Sequence, residues 1–361
     1  MKLGILLVGV IFLFVCCSSF VEFVKGKRAD SNPAIDSVPS SSGWFLLVFV
    51  GCLTLFLAGC ATSGVTIDTD KSHNRSKAYS KALAPFAAMS ALAYELDPID
   101  GDETRTTRME IEKFLTEGTN AWEKLTEFSP GPAAKAVGLA YEVWINHHLS
   151  PKVVVIAVRG TEFTQWQDWK SNLWWLTRFF SKKNQYRVAP SKEEVGRVFA
   201  QFKSEPKTIF ITTGHSLGGG VAQGLMYAFP EVSQCYAFNP SPVTSFYDQT
   251  ETNQLAYSEK LPLPGFPSHR TLRVYEKGEV LAYLRAQMRT MYPLDDKIME
   301  VRWEFDPKHN TISKHGMLRL AQNIVSVHQD NKISDPEPEY RPWWFRPPSS
   351  SALAPNPKKI R

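Results

Sequence analysis

The sequence predicts a doubly wound α/β fold, in which a mostly parallel sheet carries helices on both faces. Strand-like and helix-like stretches alternate along the middle of the chain, which is typical of such folds. The run at residues 153–158 is apolar at every position, as expected for a strand that is buried on both faces of a parallel sheet. A hydrophobic share of 43% and a charged share of 21% exclude a disordered or repetitive chain and allow one large domain.

The predicted elements follow in order along the chain. Apolar residues at helical spacing predict a helix over residues 79–94, and an acidic loop follows at residues 97–107. Strands at residues 143–147 and 152–158 are joined by a turn at Ser150-Pro151. We then expect a helix at 191–202, a strand at 209–213, a helix at 218–229, and strands at 232–238 and 271–275. Seven prolines recur through residues 331–361, which predicts an extended or disordered tail.

Two apolar segments, residues 3–24 and 44–61, precede these elements, and a basic stretch separates them. Both are close to membrane-spanning length. The second ends in the letters LAGC at residues 57–60, which resembles the lipobox of bacterial lipoproteins, where the cysteine is lipidated and becomes the mature terminus. We therefore expect residues 1–60 to be a signal and anchor region, with a lipidated Cys60. The alternative for the second segment is a retained membrane helix in which Cys60 is incidental. Residues 3–24 either span the membrane or lie upstream of the real start.

This organisation predicts a location and a set of partners. We expect a membrane-anchored lipoprotein of the cell envelope, with a polar tether at residues 61–78 and a folded domain at residues 79–330, facing the periplasm or the exterior. The net charge of +5 comes from Lys and Arg residues scattered among acidic ones, so we expect no nucleic-acid partner.

Four of the five cysteines lie in the N-terminal apolar segments. The remaining one, Cys235, is expected to be a small buried hydrophobe.

The pentapeptide GHSLG at residues 214–218 is the main chemical signal in the chain. It follows a predicted strand and precedes a predicted helix, as the pattern GxSxG does where a serine sits on a sharp strand-to-helix turn. Glycine at the flanking positions lets the strand and the helix approach, and the serine hydroxyl then points outward. We interpret Ser216 as a catalytic nucleophile, against the alternative of a structural Gly-rich turn.

Around this motif the sequence resembles the class 3 lipase family, the filamentous-fungal type of triacylglycerol lipase, over residues 79–323. The resemblance is carried by VRGT at residues 158–161, DWKSNL at 168–173, GHSLG at 214–218 and KHGM at 314–317. It implies an α/β-hydrolase fold whose oxyanion hole is formed by Thr161 and the backbone N–H of Leu217. It also implies a lid over the site at residues 163–180, to which we assign Trp166, Trp169 and Leu173, although these residues could equally complete the core beneath a fixed helix.

A serine nucleophile needs a histidine base and a carboxylate that orients the base. In this fold the chain order is Ser, acid, His. His315 is the best candidate among the histidines after Ser216, because it precedes an apolar-periodic helix. The acid should follow the strand at 271–275, where Glu279 is favoured over Glu276. The class 3 lipases usually carry an aspartate at this place, so Glu279 is a departure from the family, as is Asn239-Pro240 where the family tends to have Gly-Ser-Pro.

The predicted function is therefore that of a serine hydrolase that cleaves carboxylic esters, most favourably acylglycerols or other lipids. This chemistry needs no cofactor and no metal ion, and its partners are the ester substrate and the membrane. Two alternatives stay open at this point. One is an acyltransferase that uses the same triad, and the other is a catalytically inactive binding lipoprotein of the envelope built on this fold.

Overall fold

In the part of the chain that the computed structural model describes, eight strands form a single sheet: β1 Val65–Asp68, β2 Glu123–Lys124, β3 Tyr141–Asn146, β4 Val153–Val158, β5 Ile209–His215, β6 Val232–Phe238, β7 Thr271–Glu276 and β8 Ile298–Trp303. Their order across the sheet is β1-β8-β7-β6-β5-β4-β3-β2. Strands β4 to β8 and β1 run parallel, whereas β2, β3 and β4 pair antiparallel. This confirms the predicted mostly parallel sheet.

The helices connect these strands and cover the sheet. They are α1 His73–Leu92, α2 Asp102–Thr116, α3 Pro132–Ala136, α4 Gln185–Val188, α5 Val195–Phe202, α6 Leu217–Ala228, α7 Glu251–Glu259 and α8 Met317–Gln329. Short 3-10 turns occur at Thr126–Phe128, Phe246–Asp248 and Ser313–His315. The structure describes residues 65–68, 73–96, 100–118, 121–160, 184–203, 205, 208–263, 267–282, 285, 297–305, 311 and 313–333, all within the compact unit Leu55–Arg361.

Strand β4 explains how the core is divided between the two faces of the sheet. Val153, Val155 and Ala157 pack into one hydrophobic cluster with α1, α2 and α8. Val154, Ile156 and Val158 pack into a second cluster with α5 and α6 on the opposite face. Because successive side chains of a strand point to opposite faces, a strand between two helical layers must be apolar at every position. The uniform apolar run at residues 153–158 is therefore the direct sequence signature of this layer arrangement.

The tether predicted for residues 61–78 is wrong over most of its described part. Strand β1 lies inside it and pairs with β8, and α1 begins at His73 instead of residue 79. The polar residues that indicated a tether are in part buried: the Lys77 side-chain Nζ donates to the carbonyl oxygens of His328 and Asp330 at the end of α8, at 2.7 and 2.6 Å. A buried lysine with carbonyl partners and a solvated lysine of a linker have the same signature in sequence.

Two further predictions needed correction. The acidic loop expected at residues 97–107 gives way to α2 at Asp102, which has Asp102 and Glu103 in its first turn, where carboxylates favour a helix start. Helix α5 begins at Val195 instead of residue 191. Glu194, expected near a helix start, is buried and accepts hydrogen bonds from the Gly131 and Ala134 N–H groups and from the Tyr141 hydroxyl.

The predicted anchor at residues 1–60 and nearly all of the tail at 331–361 lie outside the described residues. Among the helices that the structure describes, none has both the length and the apolar character needed to cross a bilayer.

Candidate active site

The chain makes a sharp turn at Ser216, where β5 ends and α6 begins. Ser216 has φ 55° and ψ −124°, a conformation that non-glycine residues rarely adopt. A Cβ on Gly218 would lie 2.3 Å from the Val158 carbonyl oxygen, and one on Gly214 would lie 2.5 Å from the Gly218 carbonyl oxygen. Both distances are below contact, so only glycine at these two positions lets α6 pack this closely against the ends of β4 and β5.

Three side chains from separate loops meet at this turn. The Ser216 Oγ lies 3.0 Å from His315 Nε2, and His315 Nδ1 lies 2.7 Å from Glu279 Oε2. His315 comes from the 3-10 turn before α8, and Glu279 follows β7. Because an ionised carboxylate only accepts hydrogen bonds, Nδ1 carries the proton and Nε2 is free to accept from the serine hydroxyl. The structure thus brings together the three residues predicted as nucleophile, base and acid.

Glu279 is held at both of its carboxylate oxygens. Oε2 also accepts from the Leu281 N–H at 2.9 Å, and Oε1 forms a buried ion pair with the Arg285 guanidinium. Burial raises the pKa of Glu279, but the Arg285 charge and the hydrogen bonds from His315 and Leu281 outweigh it and lower the pKa to about 2. Glu279 is therefore ionised throughout the neutral range. The competing candidate, Glu276, ends β7, and its backbone N–H donates to Asn239 Oδ1.

A serine on a strand-to-helix turn at the carboxyl end of a parallel sheet, followed in the chain by an acid and a histidine that meet it, decides the architecture. The fold is that of an α/β-hydrolase.

Three solved structures are similar to this hydrolase fold. A point mutant of MDLA from Penicillium cyclopium is 16% identical, with the match covering 65% of this chain and 83% of that one, at a TM-score of 0.35. Lipase II from Rhizopus niveus is 13% identical over 57% of this chain and 75% of its own, at 0.29. Carboxyl esterase 2 from the mycorrhizal fungus Tuber melanosporum is 12% identical over 73% and 99%, at 0.30. No protein-family model and no curated protein matches the sequence.

A second histidine, His215, directly precedes the nucleophile, and its two ring nitrogens bond to Tyr94 and to the His315 backbone. Burial, followed by the repulsion that a protonated His315 would exert, lowers the pKa of His215 well below its usual 6.5, so the ring is neutral. Its Nε2–H donates to the His315 carbonyl oxygen at 2.7 Å, and its Nδ1 therefore accepts from the Tyr94 hydroxyl, also at 2.7 Å. The Tyr94 oxygen in turn accepts the Gly160 N–H at 3.1 Å. This chain of bonds ties the end of α1 and the end of β4 to the His315 loop of the hydrolase fold.

The loop after β6 provides another connection. Asn239 has φ 38°, a left-handed conformation that asparagine tolerates better than most residues. Its side-chain amide donates to the carbonyl oxygens of Lys314 and His315 at 3.2 and 3.1 Å, and its Oδ1 accepts the Glu276 N–H. Asn239 therefore holds the carboxyl ends of β6 and β7 against the loop that carries His315. Residues 239–240, where the sequence differs from the class 3 lipase pattern, thus include a positioning side chain beside the triad.

The predicted oxyanion hole is described only in part. Leu217 is the first residue of α6, so its backbone N–H is one of the N–H groups that a helix leaves without an intrahelical acceptor. Thr161 lies outside the described residues. The preceding residue, Gly160, passes close to the nucleophile, since a Cβ on it would lie 3.1 Å from Ser216 Cβ and 2.5 Å from the His215 carbonyl oxygen.

Several predicted site residues cannot be located from the described part of the chain. Trp166, Trp169 and Leu173 of the expected lid and the lipidation candidate Cys60 all lie outside it. Within the described ranges, no group of three or more His, Cys, Asp or Glu side chains comes close enough to hold a metal ion. Cys235 is fully buried, and burial raises the pKa of its thiol to about 12.

Sequence reasoning missed three residues of the site: Tyr94, Asn239 and Arg285. Asn239 had a signal, because its position departs from the family pattern. Tyr94 was placed at the end of a helix with no indication that its hydroxyl reaches residue 215. Arg285 had no signal, since a single arginine after a loop is usually solvent-exposed.

Proposed function

We propose that this protein is a serine hydrolase that cleaves carboxylic esters through an acyl-enzyme on Ser216. The observation that carries the proposal is the unbroken series of hydrogen bonds from the Ser216 hydroxyl through His315 to Glu279, at 3.0 and 2.7 Å. A buried triad of this kind, with a strained serine and a fixed imidazole tautomer, has the arrangement that nucleophilic catalysis requires.

In the acylation step, His315 Nε2 takes the proton of the Ser216 hydroxyl as Oγ attacks the ester carbonyl carbon. The carbonyl π bond opens, and the oxygen carries the negative charge of the tetrahedral intermediate. Glu279 stabilises the imidazolium that forms, because its Oε2 accepts the Nδ1–H. The imidazolium then gives its proton to the leaving alkoxide, the C–O bond breaks, and the acyl group remains on Ser216.

The intermediate needs hydrogen-bond donors for its oxyanion. The Leu217 N–H at the start of α6 is one candidate, and the resemblance to class 3 lipases assigns the second to Thr161. In deacylation His315 takes a proton from a water molecule as the water oxygen attacks the acyl carbon. The imidazolium then gives the proton to Ser216 Oγ, the bond between the acyl carbon and Oγ breaks, and the free acid leaves. Removing one oxyanion donor typically costs about 3 to 4 kcal/mol of transition-state stabilisation.

The substrate class we propose is an acyl ester of a lipid. Support comes from the resemblance to class 3 lipases and from the aromatic residues of the proposed lid, Trp166 and Trp169, because tryptophan is favoured at water–lipid interfaces. We further propose that the protein is held at a membrane of the cell envelope through a lipidated Cys60. Mass spectrometry of the mature N-terminus tests this. A terminus at Cys60 with an attached diacylglyceryl group supports it, and an unprocessed Met1 contradicts it.

The decisive experiment combines a fluorophosphonate probe with a panel of esters, applied to the wild-type chain and to Ser216→Ala. The wild type should be labelled on Ser216 and should release free acid, whereas Ser216→Ala should lose both activities and keep its melting temperature. Ser80→Ala is a matched control, because Ser80 is equally buried but bonds to the Lys77 carbonyl inside α1. Undiminished labelling of Ser216→Ala would remove Ser216 from the mechanism. Transfer of the acyl group to an added alcohol in preference to water would identify an acyltransferase.

A further inference from the structure

We propose that Arg285 is a positioning residue for the triad: it fixes the Glu279 carboxylate in the orientation that presents Oε2 to His315. This inference rests on the proposed function, since it assigns a role within the same site. Arg285 contacts neither Ser216 nor His315 in the hydrogen bonds described above, so it acts through Glu279.

The Arg285 guanidinium makes three contacts that together define its place. One terminal nitrogen pairs with Glu279 Oε1, and the other donates to the Pro240 carbonyl oxygen at 2.8 Å. The guanidinium carbon lies 4.5 Å from the centre of the Tyr275 ring, a cation–π distance. Arg285 is itself buried. The side chain therefore joins the loop after β6, the strand β7 and the acid in one arrangement.

These contacts decide which carboxylate oxygen faces the base. With Oε1 on Arg285, Oε2 is the oxygen that accepts from both His315 Nδ1 and the Leu281 N–H. Glutamate has one more rotatable bond than aspartate, so its carboxylate needs an additional constraint to hold one orientation. The planar guanidinium supplies it, because its fixed fork of donors allows two directional bonds at once.

The competing explanation is that the ion pair only stabilises the fold. Arg270 provides a matched control for it. Arg270 is also fully buried, donates to the carbonyl oxygens of Tyr257 and Val232 at 2.9 and 2.8 Å, and lies 4.6 Å from the Tyr257 ring centre. It thus has the same kinds of contact as Arg285, without the triad carboxylate.

The experiment measures kcat, KM and melting temperature with a soluble short-chain ester for Arg285→Met, Arg285→Lys and Arg270→Met in the full chain. Arg285→Met should lower kcat by about ten- to hundred-fold, because a small displacement of the acid misdirects the base. KM should stay within about three-fold, because uniform substrate binding is not affected. Arg285→Lys should have a higher kcat than Arg285→Met, since lysine restores the positive charge but not the planar set of donors of the guanidinium. Arg270→Met should lower the melting temperature and leave kcat within about two-fold.

A double-variant comparison separates a positioning role from a structural one. In the Glu279→Gln background, Arg285 holds the amide oxygen and so turns the amide nitrogen toward His315 Nδ1. Adding Arg285→Met frees that amide to reverse, so kcat should stay the same or rise. The double variant also leaves no unpaired charge buried at this place, so the comparison remains informative if Arg285→Met alone does not fold.

Two results would overturn the proposal. One is a kcat for Arg285→Met within about two-fold of the wild type, and the other is a further ten-fold loss when Arg285→Met is added to Glu279→Gln, which would mean that Arg285 acts independently of the acid. Both differ from a failure of the proposed function, in which Ser216→Ala would retain ester turnover and probe labelling.

Discussion

Replacing Glu279 by glutamine tests the triad most directly, because the structure predicts which way the new amide will point. Glutamine has the size of glutamate but one oxygen and one NH₂ group. The Arg285 guanidinium is a charged donor at the Oε1 position and outweighs the neutral Leu281 N–H at the Oε2 position, so it selects the amide oxygen. The NH₂ group is then left facing His315 Nδ1, where the wild-type chain has a carboxylate oxygen at 2.7 Å.

The magnitude of the loss follows from the tautomer. An NH₂ donor at Nδ1 forces the imidazole proton onto Nε2, which lies 3.0 Å from the Ser216 Oγ and can then no longer accept the hydroxyl proton. A triad locked in the wrong tautomer by a carboxylate-to-amide change loses about 10⁴ in kcat. Since each ten-fold step in rate corresponds to about 1.4 kcal/mol, this is a loss of about 5 to 6 kcal/mol of transition-state stabilisation.

The assay compares ester turnover and the rate of fluorophosphonate labelling for Glu279→Gln and Glu276→Gln, with melting temperatures as a check on folding. Glu276 is an apt control because it is equally buried and lies three residues before Glu279, at the end of β7. Glu276→Gln should keep kcat within about ten-fold of the wild type. If Glu276 proves essential and Glu279 dispensable, the assignment of the acid is wrong.

Three other measurements follow from the same structure. The pKa of Glu279 is lowered from 4.5 to about 2, so its contribution to the free energy of unfolding is complete above pH 4.5 and is lost as the pH falls toward 2. The free energy of unfolding, measured with urea, should therefore fall more steeply between about pH 5 and about pH 3 for the wild type than for Glu279→Gln. Parallel plots of the free energy of unfolding against pH would contradict this. Gly218→Ala should cost about 1 to 3 kcal/mol of stability and reduce kcat, because its Cβ meets the Val158 carbonyl oxygen, whereas Gly101→Ala, which has open space, should cost about 1 kcal/mol or less. Glu194→Leu should lower the free energy of unfolding by about 3 kcal/mol or more, since three donors lose their acceptor, and the kcat of the folded fraction should not change.

The parts of the fold that were predictable are those in which local sequence and tertiary environment agree. Strand β4 is apolar at every position because helices cover both of its faces, and the Ser216 turn carries its glycines where a Cβ would collide with backbone. The nucleophile could be chosen from the GxSxG pattern, and the candidates for base and acid from chain order together with their places before a predicted helix and after a predicted strand.

The parts that were missed depend on contacts between residues far apart in the chain. Lys77 is buried where the carbonyl oxygens at the end of α8 accept hydrogen bonds from it. Arg285 is buried against Glu279, Pro240 and Tyr275, three partners that come from other parts of the chain. Composition and periodicity report whether a side chain is polar, and they do not report whether a distant partner allows it to be buried.

The backbone conformation of Ser216 sets stability against activity at one residue. A serine at φ 55° and ψ −124° costs of order 1 to 3 kcal/mol relative to relaxed backbone, which is a sizeable part of the 5 to 15 kcal/mol that typically separates folded from unfolded domains. The surrounding strands must supply that difference for as long as the hydroxyl is held outward. Replacement of Ser216 by glycine would therefore raise the free energy of unfolding, and the serine would be retained only through selection for the reaction.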